Sequence, residues 1–334
     1  MTNGLPVAEW RILWFSPNAG LWETSQLEHD FANGLVSQGA QVTVIRCRGL
    51  FNTFCPVMQA NQLNILHSAS QKKAICKECR SIEAASRSVA KYSTLWLDDY
   101  VTHEMKDRIT DEVNEVNRSN WQETSRRTIP VNRYSTYLSM LHHKVSDVTV
   151  SEVAWNEYVS DLRNSLMALE ALPSIFAEVD PTHGFVYNPL YPTNRMFTEL
   201  VLADPDIQYV GLSAGAFVAD RYSTIALYRS VQSSQTAVDS PSLMESLETP
   251  LTRLEVELVS RNLGHLIQGR DPWVYSTPPT FMGMTEIQRK LGTTGYKPIA
   301  VVLIGSPDET RSSALVGAEF ERVPIDQVSS VTEF

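Results

Sequence analysis

Residues 11–45, RILWFSPNAGLWETSQLEHDFANGLVSQGAQVTVI, decide the fold class of this chain. The stretch opens on a short apolar run, Arg11-Ile-Leu-Trp-Phe15, which has the length of a buried strand and ends in a loop of turn-forming residues. Apolar residues then recur at helical spacing up to Gly39, a typical helix stop, and a second apolar strand follows at 41–45. A strand, a helix and a strand in this order predict a βαβ unit, and therefore a parallel sheet with a right-handed crossover.

The rest of the sequence extends this pattern into an α/β fold, with a Rossmann-like parallel sheet, flanking helices and a largely helical insertion. Residues 80–172 carry apolar residues at helical intervals, and Pro173 predicts a break before a further short helix. Strands are predicted at 184–187, 208–212 and 298–304, and helices at 193–202 and 250–266.

All four cysteines fall in one window and form two pairs, Cys47 with Cys55 and Cys76 with Cys79. The C-x-x-C spacing of the second pair lets two sulfurs face a common point about 2.3 Å away, and another pair completes tetrahedral coordination. Four thiolates favour a structural zinc ion in a closed site, above all in a reducing compartment. An iron–sulfur cluster, reduced buried thiols and a disulfide are the alternatives that the spacing leaves open.

Composition and charge exclude several classes of function. The 334 residues carry a net charge of −10 and give an isoelectric point near 5.2, so broad electrostatic binding to nucleic acid is not expected. The longest apolar run has six residues, too few to cross a bilayer, and the amino terminus lacks the basic start and apolar core of a signal peptide. We therefore expect a cytoplasmic protein without a transmembrane segment, with a peripheral place at the inner face of the membrane as a further option.

The loop after the first strand is a candidate ligand site, because ligands of open α/β sheets bind outside the carboxyl ends of the strands. Asn18, Gly20 and Trp22 lie in or beside this loop and are candidate substrate-binding residues. The amino terminus of the following helix favours an anionic group such as a carrier phosphate. A plain structural turn with Trp22 packed over it is the alternative.

A second cluster of candidate substrate-binding residues follows the later strands. Tyr187 and Asn188 end one strand, and Arg195 in the next helix would hold a phosphate through two hydrogen bonds. Ser213 and Gly215 follow another strand, where small residues permit close approach of the backbone.

The stretch 211–215 also matches G-x-S-x-G, the pattern of a hydrolase nucleophile elbow after a strand. A serine hydrolase needs a histidine and an acidic residue as partners, and His265 is the only later histidine. A hydrolase is therefore a minor alternative.

The order of four segments resembles the N-terminal, acceptor-side half of GT-B glycosyltransferases of bacterial capsule and surface-polysaccharide biosynthesis. The segments are the βαβ unit at 12–45, the cysteine window, the pair Phe185-Val-Tyr-Asn188 and Asn194-Arg195, and Val302-Leu-Ile-Gly-Ser-Pro-Asp-Glu309. The resemblance implies that residues 1–290 form the acceptor-side domain, with a cysteine-rich excursion at 47–79 and a helical insertion at 80–172. It also implies that residues 297–334 begin an incomplete second Rossmann-like domain.

The resemblance implies a glycosyltransferase that moves a sugar from a nucleotide-sugar donor to a polysaccharide or lipid-linked acceptor. The donor in such enzymes is held mainly by the C-terminal domain, so we expect this chain alone to be inactive. The stereochemical outcome and the oligomeric state stay open. The alternative is a non-catalytic binding or scaffold protein with half of a GT-B-like fold and a structural metal site.

Sugar transfer also needs a general base, since the attacking hydroxyl must lose a proton. His29 and Glu23 in the first helix are the candidate catalytic residues, with Glu28 as a rival, and His29 is expected to be partly exposed. A boundary histidine without a catalytic role is the alternative for His29. For Glu28 the alternative is a capping box with Ser25, while Thr24 is a second candidate for the cap.

Overall fold

The computed structural model describes residues 6–214 except 124 and 127, residues 225–231, and the scattered positions 250, 252–254, 256–257, 259–261, 289, 292 and 312. For Trp22, Glu23 and Ala214 only the backbone is described. The predicted strand at 298–304 lies outside these residues, and the predicted helix at 250–266 is described only in part. The predicted second domain at 297–334 lies outside them as well, apart from Ser312.

In the described part of the chain, six strands form one sheet in the order β3-β2-β1-β4-β5-β6. The strands are β1 (Arg11–Phe15), β2 (Gln41–Arg46), β3 (Ser93–Trp96), β4 (His183–Tyr187), β5 (Gln208–Ala214) and β6 (Ile225–Tyr228). The first five run parallel, and β6 pairs with β5 in the antiparallel direction. This α/β architecture is Rossmann-like, and the predicted fold class is confirmed.

Helices flank the sheet and fill the long connection between β3 and β4. They are α1 (Trp22–Ser37), α2 (Pro56–Ala60), α3 (Ala69–Arg87), α4 (His103–Glu115), α5 (Val131–Tyr134), α6 (Tyr137–His143), α7 (Glu152–Val179) and α8 (Pro192–Ala203). Short 3₁₀ turns occur at Val7–Glu9, Leu97–Tyr100, Trp121–Glu123 and Val148–Val150.

The strand β3 lies inside the segment that the sequence pattern predicts to be helical, so the prediction is wrong at this point. Its four residues are half-buried or exposed, and they form no apolar run that would indicate a strand. β3 pairs with β2 alone, from Thr43 opposite Ser93 to Arg46 opposite Trp96. This edge position is set by tertiary pairing rather than by the local sequence.

Helix α7 continues through Pro173, so the predicted break at this proline is wrong. Proline in a helix interior removes one hydrogen bond and crowds the preceding turn, at a cost of about 3 kcal/mol. Leu172 and Ile175 on either side are fully buried, and α7 packs against α4, α6 and α8. The burial of this long helix outweighs the local cost.

The two faces of β1 contribute to two different halves of the core. Leu13 and Phe15 face α7 and α8, where Phe15 stacks on Phe197 with ring centroids 5.3 Å apart. Ile12 and Trp14 point the other way, toward α1. Because side chains alternate along a strand, β1 is buried on both faces and its loop is held from both sides.

The close packing of β4 on α8 gives a stability test at Gly184. A Cβ atom at this position would lie 2.4 Å from Cγ2 of Val201, a fully buried side chain. We expect Gly184→Ala to lower the free energy of unfolding by about 1–3 kcal/mol in chemical denaturation, because the core must shift.

The matched control is Gly34→Ala on the exposed face of α1, where no atom lies within 4 Å of the added carbon. This substitution should raise the free energy of unfolding by about 0.5–1 kcal/mol. Equal effects of the two substitutions would contradict the described packing of α8 on the sheet.

Candidate functional site

The connections of the sheet change direction between β1 and β4. From β1 the chain moves outward to β2 and β3, and from β4 it moves outward on the other side to β5. The carboxyl ends of β1 and β4 lie side by side and their loops part, which is where open α/β sheets bind ligands. A cavity of about 20 Å³, which we call the switch-point cavity, lies here. It is lined mainly by Ser16, Asn18, Thr24, Glu28, Tyr187, Tyr191 and Asn194.

A buried polar network holds the loop beside this cavity. The Glu28 carboxylate accepts hydrogen bonds from Trp14 Nε1 at 2.9 Å and from Ser16 Oγ at 2.6 Å. Arg46 Nη1, from the end of β2, donates to the Ser16 carbonyl at 2.7 Å and to Ser16 Oγ at 2.6 Å. Glu28 and Arg46 are 5 % and 2 % exposed, so one serine joins two buried charges.

This network replaces the predicted capping box, which is wrong. α1 begins at Trp22 without a side-chain cap, and the Ser25 hydroxyl donates to the carbonyl of Ala19. Glu28 points inward instead. Burial raises the pKa of its carboxyl, and Arg46 with the hydrogen bonds from Ser16 and Trp14 offsets part of that rise. Glu28 is therefore the buried carboxyl group beside the cavity.

The predicted loop residues Asn18 and Gly20 connect this site to the cysteine window. Asn18 lines the switch-point cavity and also a second cavity around the cysteines. The Gly20 amide donates to Cys79 Sγ at 3.2 Å, and a Cβ atom on Gly20 would lie 2.6 Å from Val57. Glycine is required here because α2 and α3 pack directly against the loop.

Of the two predicted catalytic residues, His29 does not line the switch-point cavity as Glu28 does, and the side chain of Glu23 is not described. His29 is 5 % exposed, so the expectation that it is partly exposed is wrong. Its ring nitrogens lie 2.9 Å from the Tyr92 hydroxyl and 2.9 Å from Asn33 Nδ2, and burial lowers its pKa. Trp22 and Glu23 open α1, and their side chains lie outside the description.

The loop after β4 contributes the other wall of the switch-point cavity. Tyr187 lines the cavity together with Tyr191 and Asn194, and Asn194 Nδ2 donates to the Tyr187 carbonyl. Asn188 adopts a left-handed conformation with φ of 44°, and its side-chain oxygen accepts from the Leu190 amide. Asn188 therefore shapes the turn, a role that asparagine commonly has.

Arg195 lies away from the cavity. It is 6 % exposed and stacks over the ring of Tyr134, with the guanidinium carbon 4.5 Å from the ring centroid. Its Nε lies 2.8 Å from a carboxylate oxygen of Glu199. These contacts join α8 to α5, so the structure does not bring Arg195 to the predicted ligand.

Ser213 lies inside β5 rather than at a turn after it. It is opposite Ala226 of β6, and its hydroxyl lies 2.9 Å from the hydroxyl of Tyr228. A nucleophile elbow requires a sharp turn between a strand and a helix, so the hydrolase hypothesis loses its geometry. Gly215 lies outside the described residues.

The four cysteines converge on one small cavity, which we call the cysteine cavity. Cys47, Cys55, Cys76 and Cys79 line it, and its volume of about 20 Å³ is enough for one water molecule or ion. All four are free thiols. No three of their sulfurs lie within 4.8 Å of one another, so coordination of one ion by all four requires their side chains to move inward.

Burial raises the pKa of each of the four thiols, and that of Cys55 reaches about 12. Without a cation the thiols therefore stay protonated at neutral pH. A donor set of four sulfurs around a space for one ion fits a tetrahedral zinc site, in which the ion displaces the protons.

A larger basic cleft adjoins the cysteine cavity. It has a volume of about 670 Å³ and is lined by Arg48, Lys72, Lys73 and Arg80 together with Asn52, Thr53 and Cys76. It shares Gly49, Cys76 and Arg80 with the cysteine cavity, which in turn shares Asn18 with the switch-point cavity. The three spaces therefore adjoin one another along the carboxyl edge of the sheet.

The four cationic side chains of the basic cleft differ in the partners that they have. Arg48 pairs with Asp99 and lies over the ring of Trp96, and Lys72 Nζ donates to the Ile65 carbonyl. Lys73 and Arg80 are exposed, and no described carboxylate forms an ion pair with either. Because the chain is acidic overall, this local concentration of positive charge favours an anionic ligand.

The basic cleft is not among the sequence predictions, although two features of the sequence indicate a helix with a basic face here. Ser68 and Gln71 form a complete capping box at the start of α3. Lys72, Cys76 and Arg80 then follow at four-residue intervals, which places them on one helix face. The predicted cysteine-rich excursion at 47–79 contains α2 and the first part of α3.

Comparison with family models and with curated proteins gives no match to this chain. In the part of the chain that the structure describes, none of the helices combines the length and the apolar character needed to cross a bilayer. Functional conclusions therefore rest on the geometry of the carboxyl edge.

The buried network at Glu28 gives a second stability test. We expect Glu28→Gln to lower the free energy of unfolding by about 3–5 kcal/mol, because Arg46 would stay buried without its counter-charge. Glu78→Gln, at an exposed position on α3, is the control and should change it by no more than about 0.5 kcal/mol. Chemical denaturation of both variants measures this, and equally small effects would show that Glu28 does not balance Arg46.

Proposed function

We propose that this chain is the acceptor-binding half of a glycosyltransferase that transfers a sugar from a nucleotide-sugar to a polysaccharide or lipid-linked acceptor. The observation that carries the proposal is the basic cleft, which the cysteine cavity separates from the loops around the switch-point cavity. A lipid-linked sugar acceptor has a diphosphate next to its sugar. The basic cleft suits the diphosphate, and the loops at the ends of β1 and β4 suit the sugar.

The distribution of charge supports the assignment of the diphosphate to the basic cleft and of the sugar to the loops after β1 and β4. Lys73 and Arg80 present cationic groups that no described carboxylate neutralises, and phosphate oxygens are strong acceptors for both. At the other end, hydroxyl and amide groups of Tyr187, Tyr191 and Asn194 surround the switch-point cavity. Such neutral groups are suited to hydrogen bonds with a sugar.

Transfer forms a bond from the acceptor hydroxyl oxygen to the anomeric carbon and breaks the bond from that carbon to the donor phosphate. The nucleotide leaves as its diphosphate, and the hydroxyl proton passes to a base. Among the carboxylates of α1 whose side chains are described, Glu28 is the one that lines the switch-point cavity. Glu23 remains a candidate base, while both ring nitrogens of His29 are already engaged.

We further propose that the four cysteines bind a structural zinc ion. A bound ion would join β2, α2 and α3 through Cys47, Cys55 and the pair Cys76 and Cys79, and so fix the wall between the two neighbouring spaces. Elemental analysis of the untagged chain should find zinc, and Cys76→Ser with Cys79→Ser should lower the zinc content by one equivalent per chain. A folded wild-type chain without metal would refute the zinc proposal.

The basic cleft is tested by calorimetric titration with inorganic pyrophosphate. The Lys73→Ala and Arg80→Ala double variant should bind at least about tenfold more weakly, because each change removes a charge-assisted hydrogen bond. Lys77→Ala is the matched control, since Lys77 is exposed on the same helix and does not line the basic cleft. Equal weakening by Lys77→Ala, or no binding by the wild type, would contradict the proposal.

The alternative function, a non-catalytic binding or scaffold protein, would use the same basic cleft. Incubation with a radiolabelled nucleotide-sugar and a prenyl-diphosphate-linked sugar separates the two functions. Transfer of the label supports the enzyme, whereas pyrophosphate binding without transfer by a chain that includes a donor-binding domain supports the binding protein.

A further inference from the structure

Two adjacent histidines at the end of α6 face one buried carboxylate of α7. His142 Nδ1 lies 2.9 Å and 3.0 Å from the two carboxylate oxygens of Glu157, and His143 Nε2 lies 2.8 Å from one of them. One ligand atom from each residue can be chosen so that all three lie within 4.8 Å of one another. Among the described residues, no other three side chains of metal-binding type come this close.

We propose that His142, His143 and Glu157 bind a divalent transition-metal ion, and that this ion is zinc. Two imidazoles and one carboxylate are a donor set that zinc accepts with a fourth position left for water. The site shares no residue with the cysteine cavity and goes beyond the proposed sugar transfer.

The spacing of the three side chains suits an ion between them. Zinc lies about 2.0–2.2 Å from nitrogen and oxygen ligands, which places tetrahedral ligand atoms about 3.3 Å apart. The observed nitrogen-to-oxygen distances of 2.8–3.0 Å need to open by only a few tenths of an ångström.

The end of α6 makes this convergence possible. Successive residues of a helix point about 100° apart, so neighbouring histidines do not normally meet one group. Lys144, directly after them, adopts a left-handed conformation with φ of 54° and ends the helix. The rings of His142 and His143 lie 4.6 Å apart between centroids, both turned toward α7.

The charge around Glu157 favours a cation over a simple hydrogen-bonded cluster. Glu157 is 1 % exposed, and its carboxylate oxygens lie within hydrogen-bond distance of both histidine rings. One helical turn further on, Asp161 is buried, and its Oδ2 has no hydrogen-bond partner. The hydrogen bonds with the histidines reach Glu157 alone, whereas a divalent ion at this point also attracts the unpartnered oxygen of Asp161.

The site is open to solvent on one side. The side chains of His142 and His143 are 28 % and 16 % exposed, while Glu157 lies beneath them. An ion can therefore enter from the histidine side and keep a water ligand there. Two turns along α7 from Glu157, Asn164 donates to the carbonyl of Phe54, next to the cysteine window.

The test is a titration of the untagged, metal-free chain with Co²⁺, followed by absorbance. A cysteine site produces a strong thiolate-to-cobalt band in the near ultraviolet, and a site of histidine and glutamate produces only weak visible bands. We use the Cys76→Ser and Cys79→Ser background, in which the weak visible bands should persist. Glu157→Gln and His142→Ala should each weaken this binding by about 100-fold or more, since each removes a ligand.

Two further variants make the result decisive. His103→Ala, at an exposed histidine on α4, is the control and should leave Co²⁺ binding unchanged. If Glu157→Gln fails to fold by circular dichroism, His143→Ala takes its place, because that side chain is partly exposed. Absence of the visible bands, or equal affinity in the ligand variants and the control, would overturn the proposal.

Discussion

The hydrogen-bonded link from Arg46 through Ser16 to Glu28 is the interaction on which the site depends. It ties together the ends of β1 and β2 and the second turn of α1, and all three side chains are buried. Two buried charges are tolerated because each has a partner and the serine hydroxyl donates to one while it accepts from the other. The loop that follows Ser16 therefore leaves the sheet in one fixed direction.

The loop after Ser16 lines two of the three neighbouring spaces and packs against the helix that lines the third. Its residue Asn18 lines both the switch-point cavity and the cysteine cavity, and its Gly20 packs on α2 and α3. The basic face of α3 is thereby held beside the carboxyl end of β1. In the proposed function the diphosphate of the acceptor lies in the basic cleft and its sugar contacts the loops after β1 and β4, with the cysteines forming the wall between the basic cleft and the switch-point cavity. The histidine pair on α6 faces Glu157 of α7 and shares no residue with these three spaces.

The sequence predicts the fold well where the apolar pattern of a single strand or helix is sufficient to identify it. The apolar strands β1, β2, β4 and β5 and the helix α8 are all found close to their predicted bounds. The prediction fails where contacts with residues far away in the sequence determine the local structure. β3 is a strand only because β2 pairs with it, and α7 passes Pro173 because its neighbours bury it. Glu28 turns inward because Trp14 and Ser16 donate hydrogen bonds to its carboxylate. The loop residues at the candidate site were predicted from topology, whereas the basic face of α3 required the helix start at Ser68 to be identified first.

We propose above all that the carboxyl edge binds a sugar diphosphate, with the diphosphate in the basic cleft and the sugar at the loops after β1 and β4. Hydrogen–deuterium exchange with and without a short-chain prenyl-diphosphate-linked sugar tests it most directly. We predict slower exchange in the loop at residues 16–21 and in the first half of α3, with α4 unchanged. Protection that appears elsewhere and leaves both of these segments unaffected would contradict the account.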